Sequence, residues 1–273
     1  MEEKLVRHVE KLKKDGYCYV QAAFSSEQVN KALNLVKSYH SQTAHSQAKR
    51  MPFLNRDQPM VYNLQSKDLF FIELLFANEL MQDILKFFLN DRWYTSIPEH
   101  DPNYILRSYL ARSSNLRMPM HIDSFIPYTG PEVFVMQCAI VLEDQTEENG
   151  CTVIVPGSHL FAEYTNQDAF DQAIPIESRA GDLVIWDSRV WHGATENRTA
   201  DTRWSVIGTF SRWWLKQAFN IPGNLPQHIY NELTDSQKAV LGFCSVPYGT
   251  EMMGIDMKRS YDLLPVRVED YQN

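Results

Sequence analysis

Two residues of complementary chemistry stand two apart at His121-Ile122-Asp123, inside MHIDSF (residues 120–125). On a β-strand, positions i and i+2 project from the same face, so an imidazole and a carboxylate at this spacing can aim at one point. Chance competes with that reading: composition alone supplies roughly 0.5 such triplets in a chain with these histidine and aspartate contents. The pair needs a third donor. His192, near the end of a later β-rich run in GDLVIWDSRVWHGATENR, is the candidate. Two histidines and a carboxylate on one face of an ion, with the opposite positions open, are the ligand set of non-haem Fe(II) oxygenases. The same spacing recurs at His8-Val9-Glu10, but there the pattern is helical. Residues two apart on a helix diverge by about 200° and cannot converge on one ion.

Beyond His192, TRWSVIGTF carries Arg203 and Ser205 on one face of a single β run. A guanidinium inside a barrel requires a partner, and a planar fork beside a hydroxyl is shaped for a carboxylate, which a cosubstrate could supply. His159 ends the motif PGSH, whose proline and glycine mark a turn, and is read as a hydrogen-bonding residue rather than a ligand. Trp186, Trp191, Trp204, Trp213 and Trp214 cluster late in the chain, where aromatic core packing accounts for most of them. Asp182 and Asp187 flank a strand and are assigned to turns or the rim.

The elements that must position these residues are legible as two regimes. The first residues, MEEKLVRHVEKLKKDG, form an amphipathic helix pattern, GYCYVQAAF is β-like, and Ser25 with Gln28 opens a second helix running to about Tyr39. Residues 41–64 lack a period and are polar with prolines, which predicts a long loop and a candidate lid. SKDLFFIELLFA and NELMQDILKFFLNDRW are helical. From Tyr104 the pattern turns to short β runs at 104–111, 119–123, 133–142, 151–155, 174–178, 182–187, 189–195 and 202–213, with ENG, PGSH and RAGD as turns. About eight short strands predict a sandwich or jelly-roll barrel. Thr234 and Gln237 cap a short helix behind them.

Composition narrows the partners. A chain of 273 residues with 44% apolar and 12% aromatic residues suits one large globular domain, and no repeat period is present. A net charge of -8 with scattered basic residues argues against nucleic acid. Without an apolar leader or a run long enough for a bilayer, the expectation is a soluble cytoplasmic protein with no membrane partner. Cys18, Cys138, Cys151 and Cys244 form no C-x-x-C pair and are read as buried free thiols. No coiled-coil or interface pattern sets an oligomeric state.

In their order and spacing, GYCYVQAAFSSEQV, the His-Ile-Asp pair, LEDQTEENGCTVIVPGSH, GDLVIWDSRVWHG and the arginine strand resemble the phytanoyl-CoA dioxygenase (PhyH-like) group of Fe(II)- and 2-oxoglutarate-dependent oxygenases. The resemblance covers most of the chain. It implies a double-stranded β-helix, a jelly-roll or cupin-like barrel of about residues 104–214, with a helical N-terminal third packed on it in a single domain. It implies that His121, Asp123 and His192 hold iron, and that Arg203, assisted by Ser205, grips the distal carboxylate of 2-oxoglutarate. It further implies that O2 is consumed, succinate and CO2 are released, and an unactivated C–H bond of a small molecule is hydroxylated. Related halogenases replace the carboxylate with a small residue; Asp123 is present, which favours hydroxylation, although desaturation, demethylation and ring formation use the same centre.

The chain departs from the family pattern in two places. Ile122 stands where glutamine is common, and the strand VFVMQCAIVL lacks an often-found tryptophan, leaving Gln137 as a candidate for the cosubstrate pocket. Phe125, Ile126 and Tyr128 are expected at the barrel mouth, with plain rim packing as the competing role. Arg107, Arg112 and Arg117 precede the metal pair and are candidates to meet an anionic substrate or the keto acid; Arg117 is grouped with Phe125 and Tyr128 on the substrate side. Two alternatives remain: a cupin-like metal enzyme without oxygen chemistry, and a ligand-binding barrel that has lost catalysis.

Overall fold

Period-two alternation along the late strands creates two environments, a dry core on one face and a polar cavity on the other. The computed structural model describes residues 2–50, 59–95 and 97–247, the side chains of 44–50 excepted. In chain order the helices are α1 (Glu2–Asp15), α2 (Ser26–Arg50), α3 (Leu69–Phe76), α4 (Glu79–Leu89), α5 (Ile221–Asn224), α6 (Gln227–Asn231) and α7 (Asp235–Val240). The strands are β1 (Tyr17–Val20), β2 (Met60–Tyr62), β3 (Ile105–Arg112), β4 (Met118–His121), β5 (Val135–Val141), β6 (Thr152–Ile154), β7 (Ile174–Ile176), β8 (Leu183–Asp187), β9 (His192–Ala194) and β10 (Ser205–Ser211).

Six strands form one sheet in the order β1-β8-β5-β10-β3-β2, and four form another in the order β4-β9-β6-β7. Every pairing is antiparallel, and the architecture is the double-stranded β-helix, with flanking helices. On β10, Val206 and Phe210 join the core while Ser205, Ile207 and Thr209 face the cavity. On β5, Met136, Cys138 and Ile140 alternate in the same way with Gln137, Ala139 and Val141. The core faces pack with Leu12, Val36, Phe71, Leu75, Ile84 and Leu85 from α1 to α4. Cys18, Cys138 and Cys151 are buried free thiols, and Cys244 is partly exposed.

Local chemistry explains the boundaries. Helix α1 carries Glu2 and Glu3 in its first turn and Lys13 and Lys14 in its last, matching its dipole. It ends at Gly16, whose φ of +78° lets its N–H reach the Leu12 carbonyl at 2.9 Å. A Cβ there would lie 2.2 Å from Val190 Cγ2, so glycine is also needed for the chain to pass. Ser25 and Gln28 form the expected reciprocal cap on α2, and Thr234 with Gln237 does the same for α7.

One expectation fails. The predicted loop over 41–64 is helix as far as Arg50 and strand from Met60 to Tyr62; residues 51–58 lie outside the described residues. Between Ser26 and Arg50 there is no glycine or proline, and Gln, Ala, Lys and Arg are good helix formers. Val29, Ala32 and Val36 pack the first part of α2 on the core, and from that nucleus each further good helix former adds a hydrogen bond without needing an apolar stripe of its own, which is why the missing period misleads.

Candidate metal centre and its cavity

His121 closes β4 and His192 opens β9, and the ladder sets them directly opposite one another. A register irregularity brings this about: Met118 pairs with Ala194, yet three residues later His121 pairs with His192 only two residues back. The bulge absorbs the extra residue and re-aims the histidine. It closes over Gly193, where an added Cβ would sit 2.7 Å from the Met118 carbonyl oxygen. The imidazole centroids lie 4.1 Å apart.

Both rings are oriented by the same device. Nδ1 of His121 lies 2.9 Å from the Pro119 carbonyl oxygen and Nδ1 of His192 lies 3.0 Å from that of Val190. With Nδ1–H donated to backbone, the lone pair of each Nε2 is left for a metal, the usual second-sphere arrangement of histidine ligands. Asp123 completes the group: its carboxylate oxygens are 3.6 Å from His121 Nε2 and 3.3 Å from His192 Nε2. One donor atom from each of the three residues lies within 4.8 Å of the others.

The carboxylate is held by its surroundings. The N–H groups of Asp123 and Ser124 both donate to the Ser188 carbonyl, at 2.8 and 3.0 Å, pinning this segment to the turn between β8 and β9. That turn is braced by a buried ion pair, in which Arg189 donates to both Asp187 oxygens and to the Gly130 carbonyl at 2.9 Å. Burial alone would raise the Asp123 pKa, but His192 and His121 beside it hold the carboxyl well below the usual range. Burial also opposes protonation of His121, yet the hydrogen bond and charge of Asp123 lift its pKa above the ordinary value.

The three residues open on a cavity of about 290 Å³ bounded by both sheets. Arg203 and Ser205 line it, as does Gln137. Arg203 is buried, its Nε has no hydrogen-bond partner among the described residues, and its pKa is pushed down to about 10, by burial first and then by Arg112. Room for its side chain comes from Gly150, at φ +100°, where a Cβ would lie 2.6 Å from Arg203 Nε. The Ser205 hydroxyl accepts from the Gln145 amide, which leaves its own proton for an acceptor in the cavity. Gln137 accepts from Thr209 at 2.6 Å, and Thr209 from Ser108 at 3.0 Å, so a polar rung crosses three strands. A metal-binding donor set at one wall and an unpaired guanidinium at another fit a divalent ion together with a small dicarboxylate.

Two lining residues, Trp186 and Gln145, escape a reading of the sequence as cavity residues, while Arg107 and Arg112 are among the candidates it offers. Trp186 packs in a core cluster with Tyr17, Ala139 and Val184 and also lines the cavity, its indole N–H 3.4 Å from Asp123 and its ring 5.3 Å from His192. It pairs in register with Gln137 and so stands beside the position where the strand of β5 lacks a tryptophan. Arg107 occupies a second bulge, where Thr209 pairs with Ser108 but Phe210 with Leu106, and its side chain turns into the cavity. Arg112 and Gln145 line it too.

The substrate-side expectations divide. Phe125 lines the cavity, is 74% exposed and lies over the Arg107 guanidinium at 5.7 Å. Ile126 is exposed and Tyr128 stacks on Phe134 with Arg189 over its ring; neither is among the lining residues. Arg117 also lies outside the lining, its guanidinium 3.6 Å from the Phe170 ring centroid. His159 meets the Lys13 carbonyl at 3.2 Å from a turn, apart from the three-residue cluster. Trp204 is core and Trp213 stacks on Tyr94, as packing predicts.

Comparison with known proteins agrees with this geometry. Residues 12–205 match the family model described as Phytanoyl-CoA dioxygenase (PhyH). Dioxygenase af480 of Aspergillus fumigatus is 26% identical over 245 residues, covering 87% of this chain and 76% of the relative. Dioxygenase olcK of Penicillium canescens is 38% identical over a shorter stretch, 44% of this chain and 39% of its own length. Among solved structures, the epimerase SnoN in complex with Fe3+, alpha ketoglutarate and nogalamycin RO superimposes with a TM-score of 0.56 at 17% identity, over 78% of this chain and 86% of that one. EctD from S. alaskensis gives 0.59 at 14% identity over 76% of each chain. These structural likenesses establish the shared fold.

Proposed function

Because the chain belongs to the phytanoyl-CoA dioxygenase family, we propose that it is an Fe(II)- and 2-oxoglutarate-dependent oxygenase that hydroxylates an unactivated C–H bond of a small molecule. The observation that carries this reading is the convergence of His121 Nε2, His192 Nε2 and the Asp123 carboxylate on a cavity that also holds the unpaired Arg203. In a zinc-type hydrolase or isomerase in the same barrel, Arg203 and Ser205 would have no dicarboxylate cosubstrate to hold. When bound, iron would activate O2, the oxidant, with two electrons drawn from 2-oxoglutarate, which leaves as succinate and CO2, and two from the substrate C–H bond.

The chain's own residues bind and orient. His121, Asp123 and His192 hold the metal, and their backbone-anchored Nδ1 atoms fix the rings. Arg203 and Ser205 take the distal carboxylate of the cosubstrate, with Gln145 setting the hydroxyl rotor and Gly150 clearing the guanidinium. Gln137 presents its amide from the rung it shares with Thr209. The substrate enters at Phe125, with Arg107 beneath it. The chain, residues 1–273, is read as one domain serving this chemistry. Relatives of the fold include proteins named as an epimerase and a carbocyclase, so substrate placement selects the outcome at such a centre.

The test is anaerobic addition of Fe(II) and 2-oxoglutarate to the purified protein. The weak visible charge-transfer band of a chelated keto acid is expected, and is lost in Asp123→Ala. A folded, metal-loaded protein with no band would rule the reading out. Succinate release in the presence of candidate substrates then identifies the reaction.

A further inference from the structure

Two arginines, not one, face this cavity without a partner. Nε of Arg112, like that of Arg203, is buried with no hydrogen-bond partner among the described residues. Arg112 ends β3, where the ladder sets it directly beside Ser205 on β10, and residues opposed across an antiparallel pair project from the same face. Arg203 lies two positions before Ser205 and shares that face. Burial is the first influence on each guanidinium and lowers its pKa; Arg112 depresses Arg203 further, while the charge of Asp123 offsets only part of the effect on Arg112. Asp123 is the only carboxylate among the lining residues, and both histidines of the metal group claim it. Two like charges held together in low dielectric are unfavourable unless an anion joins them.

Resting on the reading of this site as a 2-oxoglutarate pocket, we propose that Arg112 is a second cosubstrate-binding residue, clamping with Arg203 and Ser205 the carboxylate of 2-oxoglutarate farthest from the metal. β3 thus supplies half of the anion site, and of the three arginines the sequence offers before the metal pair Arg112 is the one set beside Ser205. The clamp makes the pocket selective for dianionic 2-oxo acids. Removing the distal carboxylate leaves two guanidiniums unpaired rather than one, and each charge-assisted hydrogen bond lost weakens binding about 10-fold or more. It also makes the empty cavity a source of instability that the cosubstrate relieves.

Calorimetric titration of the Ni(II)-loaded protein, which binds without turnover, separates the outcomes. Arg112→Met is expected to raise the Kd for 2-oxoglutarate at least ~10-fold while leaving that for 2-oxobutyrate, which lacks the distal carboxylate, within about 2-fold. Arg112→Lys, which keeps a charge in place, is expected to fall between wild type and Arg112→Met. Without ligand, Arg112→Met is expected to melt at or above the wild-type temperature, because a buried like-charge contact is gone, and to gain less from added 2-oxoglutarate. Equal weakening of both keto acids, or no change for either, would overturn the assignment and leave Arg112 to the metal end or to the substrate. If Arg112→Met does not fold, an unchanged 2-oxoglutarate Kd in Arg112→Gln overturns the assignment equally. A wild-type protein that binds metal but no 2-oxoglutarate would instead refute the function on which the clamp rests.

Discussion

Replacing Gly193 by alanine adds no chemistry, so any loss of metal affinity it causes reports geometry alone. The new Cβ would lie 2.7 Å from the Met118 carbonyl oxygen, 3.1 Å from Met120 Sδ and 3.4 Å from the Pro119 carbonyl oxygen. Ordinary contact begins near 3.4 Å, so the β4 backbone must retreat by roughly 0.7 Å from β9 at the nearest point. That backbone carries His121, and the Pro119 carbonyl is the group that orients its ring. Misplacing a reacting or ligating group by about 1 Å costs on the order of 10²-fold, so metal Kd should rise about 10- to 100-fold. Overpacking of this kind also destabilises by about 1–3 kcal/mol. Competition for Ni(II) against a chromophoric chelator under anaerobic conditions measures the first, and urea unfolding of the metal-free protein the second. Gly208→Ala is the control: its Cβ meets the Phe210 ring on the core side of β10, so stability should fall while metal affinity holds. Metal binding within 2-fold of wild type in Gly193→Ala would mean that the bulge yields freely and does not set the His121–His192 geometry.

Two further outcomes test the support around the site. Arg189→Met strands the buried Asp187 carboxylate without its ion pair and should destabilise the fold by about 3–5 kcal/mol in urea titration, and a loss below 1 kcal/mol would show that the turn holds without it. Burial raises the pKa of all four thiols, to about 12 for Cys18 and Cys244, so few are thiolates at neutral pH. A thiol reagent at pH 8 should therefore label the native protein at a rate set by unfolding, and four fast-reacting equivalents before denaturation would contradict that.

Much of this arrangement is legible in the sequence because alternation is a local signal. All eight predicted late strands appear, most plainly β10, where apolar residues alternate with polar ones, and the two reciprocal caps read directly from Ser25, Gln28, Thr234 and Gln237. His121, Asp123 and His192 are found together because two share a strand end and the third opens its neighbour. What the sequence hides depends on register. The run 104–111 stops one residue before Arg112, so the facing of that arginine is not readable without knowing that it opposes Ser205. Trp186 looks like any aromatic in a buried strand until its partner is known to be Gln137. Gln145 sits in a loop where no period exists, and only a two-way bridge to Ser178 turns it inward.

The two register irregularities in the ladders lie at the functional wall, as does Phe125, one of the four non-glycine residues with positive φ among the described residues. Regular ladders form the walls, but a strand that alternates strictly can present only every second side chain to the cavity. The bulge in β3 lets Arg107 and Ser108, neighbours in sequence, both line it, and the bulge in β4 turns His121 to meet His192. Just beyond the metal pair, Phe125 adopts φ of +66°, a conformation a bulky side chain takes at a cost of order 1–3 kcal/mol. The flanking contacts enforce it: Ser124 N–H is tied to Ser188, and the Ser124 hydroxyl reaches the Ile126 carbonyl at 2.9 Å. The same tether that seats Asp123 against the β8–β9 turn therefore flips the next residue outward, placing an exposed ring over Arg107 at the mouth. Metal geometry and substrate entrance are coupled through one short segment, so a change at Ser188 or Ser124 should be felt at both.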